Sequence, residues 1–119
     1  MDLQFKISKD FIEEIQEFVS NDDRGAILNA ISTLHEADIA EILDEVSMEE
    51  AKYIFRLLED ENASDVLVEL EEDVRVKFLD ALSAKEIAEQ MDNMDSDDAA
   101  DIMAEMSEEK QEEVISQIE

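Results

Sequence analysis

Asp97 and Asp101 stand four residues apart in the densest acidic stretch of the chain, Asp92-Asn93-Met94-Asp95-Ser96-Asp97-Asp98-Ala99-Ala100-Asp101. On a helix, residues i and i+4 project from one face. Two carboxylates held that close repel, and a hard divalent cation relieves the repulsion. Magnesium takes one or two carboxylates and keeps several of its waters, so this pair suits partial coordination of Mg²⁺, with a second surface completing the shell. The same residues also read as plain helix chemistry, with Asp95, Asp97 and Asp98 capping a helix start and Asp101 solvated. Spacing by itself leans to the second reading without closing the first. A calcium loop is excluded, because Ala99 or Ala100 stands where an EF-hand needs its glycine.

No other residue set in the chain points to a reaction. The single histidine, His35, sits where one helix should end and the next begin, and there is no cysteine. That combination excludes the familiar zinc sites and histidine-based triads. There is no glycine-rich phosphate loop, since Gly25 is the only glycine. With 36 acidic residues against 9 basic ones, an isolated carboxylate pair says nothing about glycosidase chemistry. The expectation is a protein that is not an enzyme.

The formal net charge of −27 narrows the partners. Nucleic acid is disfavoured because phosphate binding needs a basic footprint. An anionic membrane surface is disfavoured for the same reason. Cations and basic protein surfaces remain, beside the plain reading that acidity keeps the domain soluble. No apolar run approaches the ~18 residues of a membrane span, and the N-terminus does not read as a secretory signal. Together with the lack of cysteine, this suggests a soluble domain in a reducing, cytoplasmic compartment.

The elements that must position the acidic residues are legible as a repeat. Stepping by twelve from Leu34 gives Leu34, Val46, Leu58, Leu70, Leu82, Met94, Met106 and Ile118. Stepping from Ile31 gives Ile31, Leu43, Phe55, Leu67, Leu79, Met91, Met103 and Ile115. At 45% apolar content, two such columns arise by chance roughly a few times per million. A third column runs Ala30, Ile42, Ile54, Val66, Phe78, Gln90, Ile102, Val114. A weaker fourth runs Ile27, Ile39, Ala51, Ala63, Arg75, Ile87, Ala99, Gln111. Within one repeat the columns fall at i, i+3, i+4 and i+7, which is one stripe of an α-helix.

The next column holds the punctuation: His35, Ser47, Glu59, Glu71, Ser83, Asp95 and Ser107. Ser47 with Glu50, and Ser83 with Glu86, have the spacing of capping boxes. Each repeat therefore predicts a helix of roughly nine or ten residues, about 14 Å long, joined by a turn of two or three. Before the repeats, Phe11, Ile12, Ile15, Phe18 and Val19 mark an amphipathic helix. Asn21-Asp22-Asp23 caps a second, less regular one running to about Thr33. The whole reads as one all-α domain over residues 1–119, with two less regular helices in 1–33 and the repeats in 34–119. The expected architecture is a superhelix or small solenoid of stacked short helices. The repeat still in progress at Glu119 suggests a fragment of a longer chain. The methionines Met91, Met94, Met103 and Met106 are expected core filler.

The run Leu34-His35-Glu36-Ala37-Asp38-Ile39-Ala40-Glu41-Ile42-Leu43 resembles the N-terminal cytosolic domain of the MgtE family of magnesium transporters, as does Met94-Asp95-Ser96-Asp97-Asp98-Ala99-Ala100-Asp101. The resemblance covers roughly Ala26 to Ile118. It implies a right-handed superhelix that precedes a pair of regulatory CBS domains and a dimeric transmembrane pore. It further implies a Mg²⁺ sensor, in which ions bridge acidic residues of this domain and the CBS pair and hold the pore closed when magnesium is ample. The bridging carboxylates would fall on Asp97 and Asp101 and, in an earlier helix, on Asp65. Two departures stand out. Proline often follows the cap in the family, whereas Glu36, Met48, Ala84 and Ser96 occupy those positions here. Asp65 stands where glutamate is common, which shortens its reach. The alternative is a free-standing acidic helical-repeat scaffold that binds a basic protein surface.

Overall fold

The structure is a computed structural model that describes residues 7–118. Nine helices lie among the described residues: α1 (Lys9–Ser20), α2 (Arg24–Ile31), α3 (Glu36–Glu45), α4 (Met48–Leu57), α5 (Asp60–Glu69), α6 (Glu72–Ala81), α7 (Ala84–Asp92), α8 (Ser96–Ala104) and α9 (Glu108–Ile118). There is no strand among them, so the chain is all-α as the composition predicts. From α3 onward the helices are 9 to 11 residues long and start twelve residues apart. The twelve-residue period is thus a helix-plus-turn period.

The turns end the helices where the punctuation column places them. Ser47 Oγ accepts from the Glu50 N–H at 3.2 Å, and the Glu50 carboxylate accepts from the Ser47 N–H at 3.0 Å. Ser83 and Glu86 repeat this at 3.1 and 3.2 Å. Ser107 Oγ accepts from the Lys110 N–H at 3.2 Å. At the start of α3 the His35 N–H donates to Asp38 Oδ2 at 3.4 Å, so His35 holds the structural position expected of it. Three positions of the column depart from the expectation. Glu59, Glu71 and Asp95 occupy N-cap positions with extended backbone, yet none of their side chains accepts a capping bond. Backbone conformation is therefore what turns the chain there.

The helices divide into two compact units between Leu58 and Glu59. In the first, α1 packs on α2 and α4, and α4 also packs on α3 and α2. Ile15, Ile27, Ile42 and Ile54 fill its centre and are fully buried. The Gln16 side-chain amide donates to the Glu50 carboxylate at 3.0 Å, tying α1 to α4. Helix α1 is ended by a turn in which the Asp23 N–H bonds back to Phe18 O at 2.9 Å and the Asp22 N–H to Val19 O at 3.0 Å. This ending needs a left-handed residue, and Asp22 supplies it with φ 53°. The Tyr53 hydroxyl of α4 donates to the Asp22 carboxylate and so braces that turn. Helix α2 starts one residue later, with Asp23 Oδ1 accepting from the Ala26 N–H at 3.2 Å, and it ends at Ile31, slightly short of the expected boundary.

In the second unit, α7 packs against both α5 and α9. Helices two apart in sequence therefore stack on one another, and the intervening α6 and α8 lie between them in the chain. Leu67, Leu79, Leu82, Ile87 and Ile102 are buried here, each from one of the apolar columns. A helix of about ten residues is marginal in water by itself, so this shared burial stabilises the helices more than their intrinsic propensity does.

Two measurements check this account. Leu67→Ala should lower the unfolding free energy by about 2–5 kcal/mol, seen as a lower urea midpoint with little change in slope. The second concerns Glu50. Burial pushes its carboxyl up, but the hydrogen bonds from the Ser47 N–H, the Gln16 amide and the Ser47 hydroxyl outweigh this and hold it below its ordinary 4.5. A depressed carboxyl contributes stability that is present above the ordinary value and is lost as pH falls through the depressed one. The melting temperatures of the parent chain and of Glu50→Gln should therefore converge on acidification from about pH 6 to about pH 3.

Candidate metal-binding face

Helix α8 carries the candidate pair. Asp97 and Asp101 are both exposed, while Ile102 on the same helix is buried in the second unit. This follows from the stripe. Ile102 points inward, and residues one and five positions before it are turned about 100° and about 140° away in the same sense, so they share the outer face. Asp97 and Asp98 also sit in the first turn of α8, where the helix dipole favours negative charge.

Asp65 lies on α5, exposed and already engaged in an interaction of its own. Its neighbour Ser64, turned about 100° from it on the helix, is buried, its hydroxyl 3.0 Å from Gln90 O and 3.0 Å from Gln90 Oε1 on α7. Among the described residues, no three histidine, cysteine or carboxylate side chains are grouped so as to hold a metal. An exposed pair such as Asp97 and Asp101 is a donor set of the kind magnesium accepts, since that ion takes one or two carboxylates and retains water.

The α8 face continues into a feature that the repeat registers only as an exception. Arg75 occupies an apolar column, and its guanidinium makes a two-pronged pair with Glu105, Nε to Oε1 at 2.8 Å and Nη2 to Oε2 at 2.6 Å. Its Nη1 donates to Val68 O at 3.1 Å and Leu70 O at 2.6 Å, the terminal carbonyls of α5. Glu105 raises the arginine's already high pKa, and Glu72 and Asp101 act in the same direction through space. Asp97, Asp101 and Glu105 thus form an i, i+4, i+8 row whose far end is neutralised internally by Arg75. The near end at Asp97 is in the solvent-facing first turn.

The other polar exceptions are likewise internal links. Gln90 meets Ser64, and the Gln111 amide donates to Met106 O at 2.9 Å, at the end of α8. Lys110 Nζ donates to Leu82 O at 2.7 Å, at the end of α6. A chain with few cations has placed two of them on helix C-termini, where the backbone is negative. A basic residue within an apolar column, opposite a glutamate on another helix, is the only signal in sequence that could have marked Arg75.

These observations define an all-α chain of short helices, spaced twelve residues apart from α3 onward, with a carboxylate-bearing outer face on α8. Residues 34–119 match the family model described as the MgtE intracellular N domain. That span is well over half of the chain, and the chain belongs to this family. A solved structure described as the crystal structure of the soluble part of a magnesium transporter is similar at a TM-score of 0.45 and 11% identity. The match covers 90% of this chain and 47% of that one, so this chain spans about half of its length. No curated protein matches the chain.

The Arg75 link can be tested directly. Arg75→Met leaves Glu105 without its counter-ion and α5 without its terminal donor. It should destabilise the chain by about 2–4 kcal/mol in chemical denaturation. Glu105→Gln should lose less, and a double-mutant cycle should return a coupling of about 1–3 kcal/mol.

Proposed function

We propose that this chain is the magnesium-sensing regulatory domain of a magnesium transporter. The observation that carries the reading is the exposed Asp97–Asp101 pair on the outer face of α8, inside the span that matches the MgtE intracellular N domain. In this reading a hydrated Mg²⁺ engages the pair, and carboxylates of an adjacent CBS domain pair in the same chain complete its shell. Asp65 serves a second contact of the same kind from α5. The full protein is then a homodimer with a transmembrane pore, and this domain lies on the cytoplasmic side of the membrane.

Regulation follows from electrostatics. Without the ion, two acidic surfaces repel. With it, the docked arrangement gains the binding energy of a cation held by both sides, and that arrangement is the one in which the pore is closed. A ligand shifts such an equilibrium only by its differential affinity for the two states. A site split between two domains provides this, because only the docked state offers the full donor set. The domain needs no catalytic group for this role.

The isolated chain should bind Mg²⁺ weakly, since half of each shell is missing. Amide shifts in a Mg²⁺ titration should cluster at Asp97 and Asp101. Uniform shifts reproduced by sodium at matched ionic strength would reduce the effect to screening. Mg²⁺ should also raise the melting temperature more than matched monovalent salt does, and Asp97→Ala with Asp101→Ala should remove that difference.

A further inference from the structure

Along the second unit the apolar columns lose their cover toward the C-terminal end. In one column Leu79 is 1% exposed and Ile115 is 42% exposed; in another Leu82 is 2% and Ile118 is 58% exposed. Every residue of these columns is apolar, so the difference in exposure reflects how many neighbours each meets among the described residues. Where cover fails there is a groove of about 340 Å³ between α7, α8 and the end of α9, lined by Ala88, Met91, Ala99, Ala100, Met103 and Ile118. Its small residues leave a trough and its two methionines form an adaptable floor, the combination that accepts the apolar face of a helix.

The charge around the trough selects the occupant. Asp92 lines the groove itself. An adjoining hollow carries Glu89 and Asp92 beside Lys85. Asp97 precedes Ala100 by three residues, which puts it on the same side of α8. A second copy of this chain would bring another −27 charge onto this rim and is repelled. An acidic or neutral segment gains nothing from it.

We propose that this groove is a docking site for a basic amphipathic helix, with apolar side chains at i, i+3, i+4 and i+7 in the trough and lysines or arginines on the acidic rim. Apolar contact sets the register, and the rim speeds encounter and rejects acidic partners. The site shares Asp97 with the magnesium reading, but its apolar trough and the acidic Asp92 and Glu89 stand apart from that reading.

The test uses the chain with ¹³C-labelled methionine methyl groups and three synthetic peptides. One has leucines at the four helical positions and lysines elsewhere; one has the same composition scrambled; one has glutamate for lysine. The ordered basic peptide should shift the Met91 and Met103 methyl signals and bind at least about tenfold tighter than the scrambled one. The acidic peptide should not bind. Ala100→Arg, at an exposed position that leaves the core intact, and Met103→Ala should each weaken binding about tenfold with the circular-dichroism melt preserved. Equal affinity for the scrambled peptide would overturn the proposal. So would unchanged methionine signals on binding, or the same shifts on concentrating the chain without any peptide, which would assign the groove to self-association.

Discussion

Helices of nine to eleven residues cannot hold themselves together in water, and everything else in this chain follows from that constraint. Nucleating a helix is unfavourable, and ten residues provide too few hydrogen bonds to offset it. Each helix must therefore bury its stripe on others. The four apolar positions of each repeat are spaced for that burial, and in the second unit α7 meets both α5 and α9 through it. The constraint also explains the caps. With so few internal hydrogen bonds per helix, the unpaired groups at each end form a large fraction of the whole. Ser8, Asp23, Ser47, Ser83 and Ser107 each accept one of them.

The second organising force is charge. A chain with net charge −27 works against its own compactness, and self-repulsion rises with every carboxylate brought inward. The structure answers by keeping nearly all carboxylates on the surface and committing its scarce cations to structural tasks. Arg75 closes the end of α5 and pairs with Glu105; Lys110 closes the end of α6. Among the described residues, no buried side-chain polar atom lacks a partner. The carboxylates left outside, Asp97 and Asp101 among them, form a strongly acidic surface.

The acidic outer face and the apolar groove both involve α8, and both arise from its place in the repeat. Its inward stripe is anchored by Ile102. Its first turn presents aspartates to solvent, and Ala99, Ala100 and Met103 line the trough against α7 and α9. One short helix therefore carries two chemically distinct surfaces.

The sequence by itself determined the helices and nearly all of their ends. Period twelve, apolar positions at i, i+3, i+4 and i+7, and serine at the cap are local patterns, and the physics that reads them is local too. It also determined that Asp97 and Asp101 share a face, because four residues on a helix always do. Tertiary structure decided what depends on residues distant in sequence. Arg75 and Gln90 look like flaws in apolar columns until Glu105 and Ser64, 30 and 26 residues away, are brought to them. Asp95 has the right residue type for a cap and sits at the N-cap of α8 with extended backbone, yet its carboxylate accepts no capping bond. The four methionines all read as core, yet only Met91 and Met106 are buried, while Met94 and Met103 are half-buried. Periodicity states which residues need a neighbour, and only packing states whether one is there.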